Sequence, residues 1–258
     1  MRTIQILAVM ILMLASQVLS ATTEPTRATG MYAEGAVLKV WAVNGLNMRD
    51  GPGTDFPISR KLHYGDEVKV TDSFIGDFPM SVKVIDKKGK DQDFELKGNW
   101  VRVMLDDVEG YVFDGYLSRL PVMRINAMTK NNNGHTIYEH EYLETYLNRK
   151  FDLEEESQEE LSENTKELFF EKGVSYFEGG SEGCGWNGLK LEDLTINEGY
   201  LIYNLMYNIE SNLKSGDFEL KIEKGADGSF RIMMIDDYSG FILQFDEDGI
   251  LIKSEGCC

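Results

Sequence analysis

The sequence predicts a mainly β, α+β protein: a small β-barrel followed by an α+β domain that ends in an antiparallel meander. Three observations carry this. Residues 36–120 hold short runs rich in β-branched and aromatic residues, separated by Gly, Asp, Pro and Asn, with no stretch of helical period. The last forty residues repeat the same pattern, with breaks that end in Gly. Between them lie segments of helical spacing, and helices followed by a meander make an α+β domain.

The 258 residues include 26 basic and 44 acidic side chains, for a net charge of −18. A hydrophobic share of 42% with 27% charged residues is a globular composition. The acidic balance excludes a nucleic-acid partner, because phosphate binding needs concentrated Lys and Arg. The charge is uneven. Residues 21–129 carry 14 basic and 16 acidic residues, whereas 130–258 carry 11 and 28, a net −17. A step of this size near residue 130 points to two domains.

Residues 1–20 have the layout of a secretory signal peptide: Arg2, an apolar run from Ile4 to Ala15, then small residues. Val18 and Ser20 stand at −3 and −1 of a cleavage before Ala21. The run is shorter than the roughly 20 residues a membrane-spanning helix needs, and no Cys before Cys184 offers a lipidation site. No later stretch spans a membrane. The expected location is therefore secreted, periplasmic or extracellular. Residues 21–35 read as an N-terminal arm.

Within 36–120, the runs AVLKVWAV, EVKV, SVKVI, NWVRVM and GYVF are the expected strands. Gly51-Pro52-Gly53 is a turn, since Pro fixes φ and Gly permits positive φ. Arg49, with five donors, is placed to hold that loop through backbone carbonyls.

These residues carry a resemblance. Asn47-Met48-Arg49-Asp50-Gly51-Pro52-Gly53-Thr54-Asp55-Phe56 resembles the N-x-R-x-G-P-x-x-x-[YF] signature of bacterial SH3-like domains. Leu62, Gly65-Asp66 and Val68-Lys69-Val70 match that family's L-x-x-G-x-x-V-x-V step. Trp100-Val101-Arg102-Val103 matches its W-x-x-V strand, and Gly110-Tyr111-Val112 with Tyr116-Leu117 its closing motif. Order and spacing hold over about 80 residues. Thr71 to Asn99 depart from the pattern, as an inserted hairpin with Lys87-Lys88-Gly89-Lys90 at its tip. The resemblance implies an SH3-like barrel that binds cell-wall peptides or other envelope components. Trp41, Phe56, Tyr64, Phe74, Phe113 and Tyr116 are the aromatics available to a groove. Phe56 and Tyr64 are the candidate ligand-binding residues, because they flank the Gly51-Pro52-Gly53 turn and the Leu62-to-Gly65 connection.

Residues 121–134 read as a linker, with Thr129-Lys130-Asn131-Asn132-Asn133-Gly134 polar and aperiodic. An acidic α+β domain follows over 135–258. Tyr138, Tyr142 and Tyr146 recur every four residues, which predicts a helix over 135–150. Asp152–Glu163 reads as a solvated acidic helix or loop, and Thr165–Glu171 as a short helix. Thr195-Ile196-Asn197-Glu198 is a capping box, T-x-x-E, ahead of a helix whose Ile196, Tyr200, Tyr203 and Tyr207 share a face. FELKIEK, SFRIMMI, FILQF and ILIKS are the four strands of the meander.

No catalytic set emerges. Many secreted relatives of the SH3-like module are fused to cysteine peptidases with the Cys before the His. Here His135 and His140 precede Cys184 and no His follows it. Neither C-x-x-C nor H-E-x-x-H occurs, so no metal site is expected. There is no phosphate loop, and Gly179-Gly180-Ser181-Glu182-Gly183, although it spells G-x-S-x-G, reads as a flexible turn, so no cofactor is expected either. An oxidising space favours pairing of Cys184 with Cys257 or Cys258, whereas a bridge between the neighbours Cys257 and Cys258 is strained. The expected protein is a non-enzymatic binding protein of the bacterial cell envelope, with a cell-wall peptide or an envelope protein as partner. The alternative is a cell-wall hydrolase, or a hydrolase regulator, with its activity in the C-terminal domain.

Overall fold

The computed structural model describes residues 32–72, 79–85, 93–159, 164–181, 183–215 and 218–257. The proposed signal segment, Phe74, the Lys87–Lys90 tip and Cys258 lie outside these residues. No helix among the described residues is long and apolar enough to cross a membrane.

The N-terminal half is an SH3-like β structure. Its strands are β1 (Val37–Val40), β2 (Leu46–Arg49), β3 (Ile58–Leu62), β4 (Glu67–Asp72), β5 (Pro79–Ile85), β6 (Phe94–Leu105), β7 (Val108–Phe113) and β8 (Leu117–Ser118). They run in the order β3-β2-β7-β6-β4-β1-β8, with β5 beside β6. Alternation places Leu38, Val40, Met48, Leu62, Val68, Val70, Val103 and Val112 inside one core. The inserted hairpin is β5 paired with the first half of β6, while the second half of β6 stays in the barrel against β4 and β7. The expected N-terminal arm ends in the barrel. Tyr32 is buried in its core and donates to the Leu117 carbonyl at 2.8 Å.

The expected linker, 121–134, holds a strand and a turn. Residues β9 (Ile125–Lys130) and β10 (Thr136–His140) form a hairpin. The Asn-rich run is its turn: Asn131 Oδ1 accepts from the amides of Asn133 and His135, and Gly134 sits at φ 79°. Asn and Gly suit turns as well as linkers, so composition alone misreads the segment. The tyrosine stripe is not one helix. Tyr138 lies in β10 and Tyr142 is exposed just before α1 (Leu143–Lys150); of the three tyrosines, Tyr146 is the one buried within that helix.

Residues 152–171 also depart from the helical expectation. Their described residues form two paired antiparallel strands, β11 (Leu153–Glu159) and β12 (Asn164–Phe170). The acidic run becomes an edge strand, where charge blocks further pairing. The large sheet continues through β13 (Val174–Ser181) and β14 (Cys184–Leu191), then β18 (Gly249–Cys257), β17 (Ser239–Asp246), β16 (Phe230–Ile235) and β15 (Glu219–Lys224). The last four are the meander.

Across this sheet lies α2 (Ile196–Tyr207), followed by α3 (Ile209–Ser215). The capping box starts α2: Thr195 Oγ1 accepts from the Glu198 amide, and Glu198 Oε2 accepts from the Thr195 amide. Asn208 ends it in the left-handed region, φ 49°. Gly199 lets the helix approach the sheet, since a Cβ there would come within 2.7 Å of Ile250.

One hydrophobic core runs through both halves. Trp41, Ile85, Phe94, Leu96, Phe113 and Met123 pack with Tyr146, Phe170, Leu189, Tyr200, Ile202 and Ile252. The Phe94 ring stacks within 4.8 Å of Tyr200 and 5.3 Å of Phe230. The charge step at residue 130 therefore does not mark a break in packing.

Candidate functional site

Two features join the halves and shape the site between them. The first is Glu198. Its side chain is fully buried, and the carboxylate that caps α2 also reaches the barrel. Oε1 accepts from Ser118 Oγ at 3.0 Å and from the Arg119 amide at 2.9 Å, and Oε2 pairs with the Arg119 guanidinium at 3.1 Å. Beside it, Asn197 donates to the Lys97 carbonyl at 2.7 Å. The second is the short 3-10 turn Asp114–Tyr116 that ends the barrel's β7 and packs on α2.

Above this joint opens a cleft of about 400 Å3, within the range of small-ligand sites. The barrel's 41–45 loop and Tyr116 form one wall. The β9–β10 turn forms the second, and the end of α2 with the start of α3 forms the third. Trp41 is anchored there by its indole N–H, which donates to the Leu120 carbonyl at 3.0 Å. Tyr138 reaches across to the barrel and donates to Asn44 Oδ1 at 3.3 Å. Glu210 accepts from Asn204 Nδ2 at 3.2 Å and from the Tyr200 hydroxyl at 3.4 Å.

The electrostatics of the cleft centre on Glu210. Burial holds the phenols of Tyr116, Tyr138 and Tyr200 above their ordinary range, and the Glu210 charge raises all three further. Three tyrosines from three elements therefore face one carboxylate. Lys130 and His135 also line the cleft, from the hairpin. The arrangement offers aromatic surface, side-chain amides and charge of both signs, which suits a polar ligand with an apolar face.

The aromatics singled out in the sequence divide. Trp41 and Tyr116 meet in the cleft. Phe113 is buried in the shared core. Phe56 is 45% exposed at the far side of the barrel, with its ring over Gly51, where a Cβ would come within 2.3 Å. Arg49 holds that loop by donating to the Phe56 carbonyl at 2.6 Å. Tyr64 is half-buried against the joint. It packs edge-on to Trp41, its hydroxyl donates to the Met123 carbonyl at 3.0 Å, and burial pushes its phenol well up. Strand β3 separates Phe56 from Tyr64, five residues or about 17 Å of extended chain. They do not form one site.

No motif marked Asn44, Asn204 or Glu210, because the cleft draws on segments more than 80 residues apart. The capping box pointed to Glu198 as a helix residue but not to its reach to Ser118. Among the described residues, no group of three or more His, Cys, Asp and Glu side chains is placed to hold a metal ion.

Cys184 and Cys257 are bonded, closing a span of 73 residues across the directly paired strands β14 and β18. Cys184→Ser is expected to lower the unfolding free energy by about 4 kcal/mol, the loop-closure value for a span of this length. Denaturant titration of the variant beside the oxidised protein measures this; equal midpoints would show that strand pairing alone holds the two ends.

Residues 44–118 match the family model described as bacterial SH3 domain. No curated protein and no solved structure matches the chain. The matched span runs from Asn44, within the barrel loop that faces the cleft, to the serine that binds Glu198, so the chain carries a bacterial SH3 domain over residues 44–118, packed against its C-terminal half through one continuous core.

Proposed function

We propose that the protein is a secreted, non-enzymatic binding protein of the bacterial cell envelope, and that its SH3 domain presents a cell-wall peptide or an envelope protein segment to the cleft formed with the C-terminal half. The observation that carries this is the cleft: a family of binding modules supplies one wall, and α2, α3 and the β9–β10 turn supply the others. The signal-like segment and the Cys184–Cys257 disulfide support an oxidising, extracytoplasmic location.

The test uses the whole mature chain. Soluble peptidoglycan fragments and envelope extract are offered to immobilised protein, beside Asn44→Ala and Phe56→Ala. Asn44 is exposed and lines the cleft, whereas Phe56 lies at the opposite end of β3. Asn44→Ala is expected to weaken retention about 3- to 10-fold, the value of one neutral hydrogen bond, and Phe56→Ala to leave it unchanged. The reverse pattern moves the site to the Gly51-Pro52-Gly53 turn. Release of cleaved wall fragments would overturn the non-enzymatic reading.

A further inference from the structure

The cleft between the halves is aromatic and acidic inside and basic at its rim. Trp41 and Tyr200 line it and are buried, Tyr116, Tyr138 and Glu210 are half-buried, and Lys130 is exposed. Among the described residues, Glu210 is the one carboxylate of the lining, and Lys130 and His135 are its basic residues. Both the acid and the nearest ring are set in place by the chain itself. Asn204 Oδ1 accepts from the Glu210 amide at 3.1 Å while its Nδ2 donates to Glu210 Oε1 at 3.2 Å, and the Tyr200 hydroxyl donates to the same oxygen at 3.4 Å. Asn208 grips Tyr138 in the same reciprocal way. Its Oδ1 accepts from the Tyr138 amide at 2.7 Å and its Nδ2 donates to the Tyr138 carbonyl at 3.1 Å. Little ordering is left for a ligand to impose.

Aromatic walls around one carboxylate select a cation with apolar flanks. The rings attract positive charge through their quadrupoles, and more strongly where water is partly excluded. The number of charges narrows the choice. A divalent metal ion asks for a shell of oxygen ligands, whereas a single carboxylate suits a monocation. A guanidinium asks for both carboxylate oxygens in one plane, and Oε1 already takes the Asn204 and Tyr200 donors. A compact ammonium needs only one point contact. The rim then sets the direction of entry. Lys130 is kept on the hairpin, where its ammonium donates to Thr136 Oγ1 at 2.6 Å. From there it repels a second positive charge and attracts any acidic group of the ligand that stays outside.

We propose that the cleft takes an aliphatic ammonium group, the amino terminus or a side-chain amine of a peptide, with its charge at Glu210 among Tyr116, Tyr138 and Tyr200. The inference rests on the reading of the cleft as the ligand site, and it narrows the ligand from a peptide in general to one with a free amine. Glu210 supplies the counter-charge, the rings cover the methylenes beside the amine, and Asn44 at the barrel wall is left to meet the peptide backbone.

The experiment offers soluble peptidoglycan fragments to the immobilised whole chain in three forms: untreated, with their amines acetylated, and with their amines reductively dimethylated. Acetylation removes the charge and dimethylation keeps it. Acetylated fragments are expected to lose retention about 10-fold or more, the value of one hydrogen bond to a charged group, and dimethylated fragments to keep it. Glu210→Gln is expected to lower retention of the untreated form to the same extent and to leave the acetylated form unchanged. Should Glu210→Gln fail to fold by circular dichroism, Tyr138→Leu decides, with a loss of about 3-fold confined to the charged forms. Two competitors at about 10 mM, enough to read millimolar dissociation constants, locate the amine. Ala-Ala-Ala carries it at the amino terminus and acetyl-Ala-Lys-Ala on a side chain, and at least one is expected to displace the fragments. Acetylated fragments retained as well as untreated ones overturn the proposal; if Asn44→Ala still weakens their retention, the cleft stands as the ligand site and its chemistry is another. Dimethylated fragments lost like acetylated ones overturn it as well, as does a folded variant that retains every form like the wild type, or a failure of both competitors. Retention of no form at all overturns this inference and the reading of the cleft together.

Discussion

Glu198→Ala is expected to be the most damaging single substitution in the molecule, lowering the unfolding free energy by about 3–5 kcal/mol, the cost of removing one partner from a buried ion pair. The carboxylate is fully buried and accepts from the Thr195 amide, Ser118 Oγ, the Arg119 amide and the Arg119 guanidinium. Alanine leaves those donors facing one another without an acceptor, and each unmet buried donor carries its own desolvation cost. It also removes half of the capping box that starts α2. Arg119→Ala is expected to cost less. Its side chain is 42% exposed and reaches water, so screening reduces its share. Denaturant midpoints of the two variants measure the difference. A Glu198→Ala protein no weaker than Arg119→Ala would show that the two halves are held by apolar packing alone.

Asp114→Asn is expected to act in the opposite direction, and only above acidic pH. The Asp114 side chain is 2% exposed. Its Oδ1 accepts from the Asn99 amide at 2.8 Å, while Oδ2 is buried with no hydrogen-bond partner among the described residues. Gly98 makes room for it, since a Cβ there would stand 2.0 Å from Oδ1. Burial pushes this carboxyl up to about 8 from an ordinary 3.8. The folded protein therefore holds the proton more tightly than the unfolded chain. Stability is full below the unfolded value, falls as pH rises towards the folded value, and stays low beyond it. Integrated to pH 7, the loss is on the order of 4 kcal/mol. Asparagine keeps the oxygen that Asn99 needs and has no proton to lose. Unfolding free energies from pH 4 to pH 9 are expected to slope downward in the wild type and to run flatter in Asp114→Asn, with the variant ahead at pH 8. Parallel curves would show that Asp114 is ionised and satisfied by water.

The barrel was legible because its strands are short, β-rich and punctuated by turn residues, and because the spacing of Arg49, Gly51-Pro52, Trp100 and Tyr111 is tied to one geometry. The gap between Val70 and Trp100 announced the extra hairpin. Thr195 and Glu198 announced the start of α2, since a capping box is a local code. The misread segments share a cause. Asn131–Gly134 serves a linker and a tight turn equally well, and the four-residue spacing of Tyr138, Tyr142 and Tyr146 fits a helix until pairing with β9 claims the first of them. Seven of the twelve residues from Asp152 to Glu163 are acidic, and edge strands tolerate such charge. The cleft had no local code at all, because Asn44, Tyr116, Tyr138 and Glu210 become neighbours only after the halves close on each other.

That closure sets the order in which the chain is able to fold. Ser118 waits for Glu198, 80 residues downstream, and Lys97 waits for Asn197, 100 residues downstream. Contacts at such separations must overcome the entropy of a long loop before they return any free energy, and folding rates fall as contacts become less local. In the folded protein Trp41, Phe94 and Phe113 share one core with Tyr200 and Ile202 of α2. A chain that stops short of α2 lacks those partners, so its barrel is left with an aromatic patch and nothing against it.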